Sequence, residues 1–134
     1  MAHVIVASKD KLFKGKTLEE LKKLDTREFS KYLTSRERRS IMRNSSMIEN
    51  FVRRAQKRIA KKKIAKTHNR SMIIVPAMVG MKIGIHNGKD FFPVNIVAEM
   101  LGHRLGEFAG TRKNVKHGAA GVGATKSSSS LSVK

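Results

Sequence analysis

Five histidines, His3, His68, His86, His103 and His117, are the first candidates for chemistry in this 134-residue chain. No two of them stand four apart on a helix, none adjoins a carboxylate cluster, and the chain has no Cys, so a zinc or thiolate site lacks ligands at workable spacing. Asp90, Glu99 and Glu107 are spaced as hairpin and capping residues rather than as a general acid/base pair. The glycine-rich stretch Gly118 to Gly123 has no buried strand before it and no Lys-Ser/Thr directly after its last glycine, so it is not a phosphate loop. No nucleophile elbow or Cys/His arrangement is present. The expectation is a protein with no catalytic residues, no metal and no cofactor.

The residues that do form a pattern are cations. Lys and Arg number 29 against 10 Asp and Glu, a formal net charge of +19. In a free globular protein such an excess costs self-repulsion, whereas a polyanion would neutralise it. Nucleic acid is the first partner to consider, with an anionic membrane or an acidic protein behind it. Between Glu49 and Asp90 no acid interrupts Arg53, Arg54, Lys57, Arg58, Lys61, Lys62, Lys63, Lys66, Arg70, Lys82 and Lys89. After Glu107 there is again no acid, and Arg112, Lys113, Lys116, Lys126 and Lys134 lie among Gly, Ala and Ser.

The elements that must position these cations divide the chain into 1–44, 45–111 and 112–134. Thr17-Leu18-Glu19-Glu20 and Thr34-Ser35-Arg36-Glu37 have the form of capping boxes and open short helices, the second running towards Arg43. Ser46-Met47-Ile48-Glu49 opens a further helix to about Lys62. On it Met47, Ile48, Phe51, Val52, Ala55 and Ile59 make an apolar face, and Arg53, Arg54, Lys57, Arg58 and Lys61 line the other side. A stripe of this kind is ordinarily a solvated face, but without acids after Glu49 the helix repels itself unless phosphates neutralise it. Met72–Val75, Met81–His86 and Lys89–Val94 are expected to form a three-stranded antiparallel sheet, with Asn87-Gly88 as a two-residue type I′ turn. That register sets Ile85 against Asp90, Ile83 against Phe92 and Met81 against Val94. Ile83, Ile85, Phe92 and Val94 then face the core, and Lys82, Gly84, His86, Lys89 and Phe91 face outward. A helix over Ala98 to Leu105 should end at Gly106 in a left-handed conformation. The fold class is α+β: short N-terminal helices and a basic helix around a small three-stranded sheet. The glycine- and serine-rich tail has little to bury and is expected to be disordered alone. With 40% hydrophobic residues and no Trp, the core must rest on Ile, Leu, Val, Met and a few Phe within one domain. The apolar run near Met1 is too short for a secretory signal, and no stretch approaches the ~20 apolar residues of a membrane span, so a soluble protein retained where it is made is expected.

The stretch Asn87-Gly88-Lys89, Ile96 and Leu101-Gly102-His103-Arg104-Leu105-Gly106-Glu107-Phe108-Ala109-Gly110-Thr111 resembles the signature of the small-subunit ribosomal protein S19 family. Ile74-Val75-Pro76-Ala77-Met78-Val79-Gly80 and Gly84-Ile85-His86 extend the likeness. Lys66-Thr67-His68-Asn69-Arg70, Gly15 to Leu21 and Ser35-Arg36-Glu37-Arg38-Arg39 resemble its archaeal and eukaryotic branch. Ala77 and Ala120 depart from the pattern, which usually has Glu and Pro there. The resemblance implies a cytoplasmic, ribosome-bound constituent of the small-subunit head. It would be held by rRNA beside ribosomal protein S13, with a tail that reaches towards the decoding site and tRNA. No homo-oligomer and no membrane partner are implied.

Charge and resemblance together nominate the RNA contacts. Arg36, Arg38, Arg39, Arg43, Arg53, Arg54, Lys57, Arg58 and Lys61 belong to the helices. Lys66, His68, Arg70, Lys82, His86, Asn87, Lys89, His103 and Arg104 belong to the sheet and the loops around it. Thr111, Arg112, Lys113, Lys116 and His117 open the tail. Such groups would read phosphates and shape rather than sequence, and with no aromatic pair evident on adjacent strands, base stacking should add little. The alternative is a free DNA-compacting or regulatory protein, which would need a recognition helix or a dimer interface. A membrane-active cationic helix fits less well, because its face lacks Trp and a wide apolar arc.

Overall fold

The computed structural model describes residues 12–114. They form an α+β domain in which α1 (Leu18–Lys23), α2 (Thr26–Phe29) and the long α3 (Ser35–Ala60) precede β1 (Ala65–Thr67), β2 (Lys82–His86) and β3 (Phe91–Asn95). Thr17 caps α1, its hydroxyl accepting from the Glu20 amide at 3.4 Å. At α2 the Glu28 carboxylate reaches back to the Asp25 amide at 3.3 Å. Thr34 precedes α3 in extended conformation but makes no side-chain cap.

The two helices expected around Arg43 and Ser46 are joined into one kinked element. Asn44 departs from helical geometry, at φ −119° and ψ 18°. The cause is local: the Asn44 amide donates to the Ser40 carbonyl at 3.0 Å, and the Ser40 hydroxyl donates to the Arg36 carbonyl at 3.1 Å. Side chains that compete for carbonyls four residues back bend a helix. Ser46 therefore starts nothing. Ile41, Ser45, Ile48, Phe51 and Ala55 form the buried stripe, whereas Met47 and Ile59 of the expected apolar face are exposed. The helix ends with the Lys62 and Lys63 amides donating back to Ile59 and Arg58, and with Lys62 at φ 56° where glycine is the usual residue.

The sheet has three strands in the order β1-β2-β3, but its first strand is not the expected one. Ala65–Thr67 pairs with β2 in parallel, setting Ala65 against Ile83 and Thr67 against Ile85. Met72–Val75 is buried throughout and lies outside the sheet. Its backbone bonds to the Gly102–Leu105 segment instead: the Ile74 amide donates to His103, and the Gly102 and Leu105 amides donate to Ile74 and Met72. A segment flanked by protein on both sides reads as a continuous apolar run whether or not it joins a sheet.

The hairpin register also differs, by two residues. Ile83 opposes Val94, Ile85 opposes Phe92, and His86 opposes Phe91. Asn87 to Asp90 form the loop, because the Asn87 carboxamide accepts from the Lys89 and Asp90 amides at 3.0 and 2.8 Å. That side-chain turn competes with the two-residue I′ turn. A shift of two keeps each side chain on its expected face, so Ile83, Ile85 and Val94 are buried. Phe92 is the exception: at the loop end of an edge strand it is 52% exposed.

The helix expected from Ala98 to Leu105 is two short 3-10 turns, Ala98–Met100 and Leu105–Phe108. Gly102, not Gly106, takes the left-handed conformation, at φ 80°. Gly106 serves close approach instead, since a Cβ there would lie 2.9 Å from the Arg70 Cβ and 3.0 Å from its carbonyl oxygen. Leu21, Phe29, Ile41, Ile48, Ile73, Ile74, Met78, Ile83, Ile85, Ile96 and Leu105 are almost fully enclosed and tie helices, sheet and loops into one core.

Candidate nucleic-acid interface

The cations of α3 are positioned by the stripe opposite them. Because Ile48, Phe51 and Ala55 face the core, Arg53, Arg54, Lys57, Arg58 and Lys61 are held in solvent. Arg54 Nε donates to its own helix at the Asn50 carbonyl, 3.3 Å away. An ion pair joins His103 to Glu107 at 2.8 Å and involves none of the α3 cations.

The parallel docking of β1 beside β2 brings this helix against the sheet. Between them lies a cleft of about 330 Å³ lined by Phe51, Arg54, Ala55, Arg58, Ala65, Lys66, Thr67, His68 and Asn69. Beyond the helix end, Arg58, Lys61, Lys63, Ile64 and Lys66 surround an open depression of about 720 Å³. Among the described residues no carboxylate lines either hollow. Lys66, nominated for its charge, belongs to both and connects the helix stripe with the sheet face.

That sheet face is aromatic as well as basic, as the outward set Lys82, His86, Lys89 and Phe91 implied, and it carries an aromatic pair on adjacent strands that was not evident in the sequence. His86 and Phe91 oppose each other across β2 and β3, with ring centroids 5.0 Å apart. His68 completes a trio, 4.5 Å from His86 and 4.9 Å from Phe91. Lys66 Nζ stands 5.1 Å from the Phe91 ring centre, a cation–π distance. Gly84 leaves room beside them: a Cβ there would crowd Lys66 Cγ at 3.3 Å and would be in ordinary contact with Phe91 Cβ at 3.5 Å. His86 is fixed by the Gly88 amide, which donates to its Nδ1 at 3.1 Å.

Other nominated residues are engaged inside the fold. Arg70 donates to the carbonyls of His86, Gly106 and Ala109 at 2.6, 2.8 and 2.6 Å. Arg38 donates to the carbonyls of Ser30, Lys31 and Leu33, and Arg104 to the Ser71 carbonyl and the Ser40 hydroxyl. His103 is paired with Glu107, and Asn87 organises the hairpin loop. The Glu107 carboxyl is held below its ordinary pKa, first by the Arg104 amide, against the opposing effect of burial, and then by His103 and the Arg104 charge. Arg36, Arg39, Arg43, Lys82, Lys89, Thr111, Arg112 and Lys113 are exposed, while Lys116 and His117 lie outside the described residues.

Charge alone did not single out Lys63, Ile64, Asn69 or the apolar floor formed by Phe51, Ala55 and Ala65. The run Lys61-Lys62-Lys63 was a signal for the first, but only the β1–β2 pairing reveals the cleft. Among the described residues no helix is long and apolar enough to cross a membrane, and no group of three or more metal-binding side chains converges.

A family model described as Ribosomal protein S19 matches residues 35–117, a span that runs from the start of α3 past the last 3-10 turn.

Proposed function

Because the chain belongs to the ribosomal protein S19 family, it is a structural, rRNA-binding constituent of the small ribosomal subunit, and we propose that it binds through the surface where α3 meets the sheet. The supporting observation is the convergence of Arg54, Arg58 and Lys66 on one cleft that, among the described residues, no carboxylate lines. Cations fixed on a helix and a strand recognise backbone phosphates and the shape of a folded RNA. Arg53, Lys57, Lys61, Lys63 and Lys82 extend this surface, and Arg36, Arg39, Arg43 and Lys89 serve at its margins. Arg38, Arg70 and Arg104 contribute indirectly, by holding the loops that frame it.

The finer reading follows the family. The domain sits in the subunit head beside ribosomal protein S13, in the cytoplasm. The segment from Arg112 onward follows a partner towards the decoding site and its tRNA. Support for that last step is the acid-free sequence after Glu107, with five Lys and Arg between Arg112 and Lys134.

The test is the salt dependence of rRNA binding. Reversing Arg54 and Arg58 to Glu is expected to weaken binding and to flatten log K against log salt by roughly 0.7–0.9 for each lost phosphate contact. A slope identical to that of the parent chain would make the α3 face merely solvated.

A further inference from the structure

Two observations meet at His68. The first is the cleft between α3 and β1, whose floor is apolar, Phe51 and Ala55, and whose walls are cationic, Arg54, Arg58 and Lys66. A surface that only tracks phosphates has no need of a recess with an apolar floor. At about 330 Å³ the hollow is at the small end of the roughly 300–1,000 Å³ typical of small-molecule sites.

The second is the aromatic trio. His68 lines the cleft and is itself exposed, yet its ring is held by His86 at 4.5 Å and, in a T-shaped contact, by Phe91 at 4.9 Å. His86 is fixed in turn by the Gly88 amide. An exposed ring that neighbouring rings fix in place is prepared to stack, because little rotamer freedom remains to be lost on contact. Unpaired RNA bases stack on His and Phe side chains in this manner, with their phosphates on nearby cations.

From these the geometry points to a pocket for one unpaired nucleobase of the RNA: the base enters the α3–β1 cleft against His68, and the flanking phosphates rest on Arg54, Arg58 and Lys66. Charge complementarity selects the occupant. An acidic peptide would satisfy the cations but not the apolar floor and the ring, whereas a splayed-out nucleotide satisfies all three. The inference rests on the RNA-binding reading above and adds to it the feature of the RNA that is recognised: a bulge or loop base rather than regular helix.

The test uses the full-length chain and a transcript of small-subunit rRNA, with ribose cleavage and base reactivity probed in parallel. Within the ribose footprint, one unpaired base is expected to lose reactivity on binding. His68→Ala should expose that base again and weaken affinity by roughly 5- to 150-fold, the range for loss of one base–aromatic stack, while the ribose footprint persists. His68→Phe should restore the protection. Circular dichroism of the exposed-site variants should match that of the parent. The pocket is disproved if no base inside the footprint is hidden, or if the hidden base stays hidden in His68→Ala. Absence of any ribose protection by the parent chain would overturn the RNA-binding reading and the pocket together, so the two failures are distinguishable.

Discussion

Arg70 directs its guanidinium at the carbonyls of His86, Gly106 and Ala109, which belong to the end of β2 and to the last 3-10 turn. A planar fork separates its donors, Nη1 serving the carbonyl of one segment and Nη2 those of the other, whereas a lysine offers all its donors from one nitrogen on a shorter stem. Arg70→Lys should therefore lower the stability of the domain by about 1.5–3 kcal/mol, the usual worth of hydrogen bonds to a charged group, as read from the urea midpoint. Glu107 provides a pH test at the same scale. Its carboxyl is held below the ordinary 4.5 by the Arg104 amide and by His103. A depressed folded-state pKa contributes stability above the unfolded value, and that contribution disappears as pH falls through the folded value. Glu107→Gln should then be less stable than the parent near neutrality, and the gap should close in acid below the folded pKa. A gap that stayed constant with pH would assign the effect to shape rather than charge.

Among the elements, the hairpin most clearly separates face from burial. Ile83 and Ile85 are fully enclosed beneath the sheet, whereas Phe92, on the same face of the edge strand, is 52% exposed. Ile83→Ala should cost about 2–5 kcal/mol, as large-to-small changes in cores do. Phe92→Ala should cost less than about 1 kcal/mol, close to a surface substitution. Comparing the two unfolding midpoints checks directly which of these side chains the core encloses. The helix α3 follows the same logic with charge in place of apolar area. Its kink at Asn44 divides the helix, and the second part carries Arg54 and Arg58, which line the cleft. Periodicity revealed which side of that second part is apolar and which is cationic. It could not show that the two parts are one continuous element, because Ser46 and Glu49 satisfy a capping pattern that continuous helix makes unnecessary.

For the whole molecule, cations are distributed unequally between the described domain and the segment beyond it. The family match ends at residue 117, and the acid-free sequence continues to Lys134. If the domain anchors the protein and the tail serves the decoding site, removing residues after Lys116 should leave subunit assembly near normal. The same truncation should change tRNA binding or decoding fidelity. Ribosomes carrying the truncated chain that match intact ones in both respects would reduce the tail to a solvated end.

Composition and pattern were enough to establish a nucleic-acid binder of α+β class, because net charge, acid-free runs and apolar spacing are properties of the chain itself. The motif around Leu101 to Thr111 carried the family, since fixed residue identities survive without knowledge of contacts. Tertiary structure alone decided which cations are available. Arg70 and His68 are two residues apart and equally nominated for RNA, yet one points at carbonyls of distant segments and the other lines a cleft. Nothing local distinguishes them, because the carbonyls that claim Arg70 are as far away as Ala109 in the chain. The aromatic trio was hidden for the same reason: His68, His86 and Phe91 meet only when a three-residue parallel strand docks on the hairpin, and so short a strand has no periodicity to reveal it.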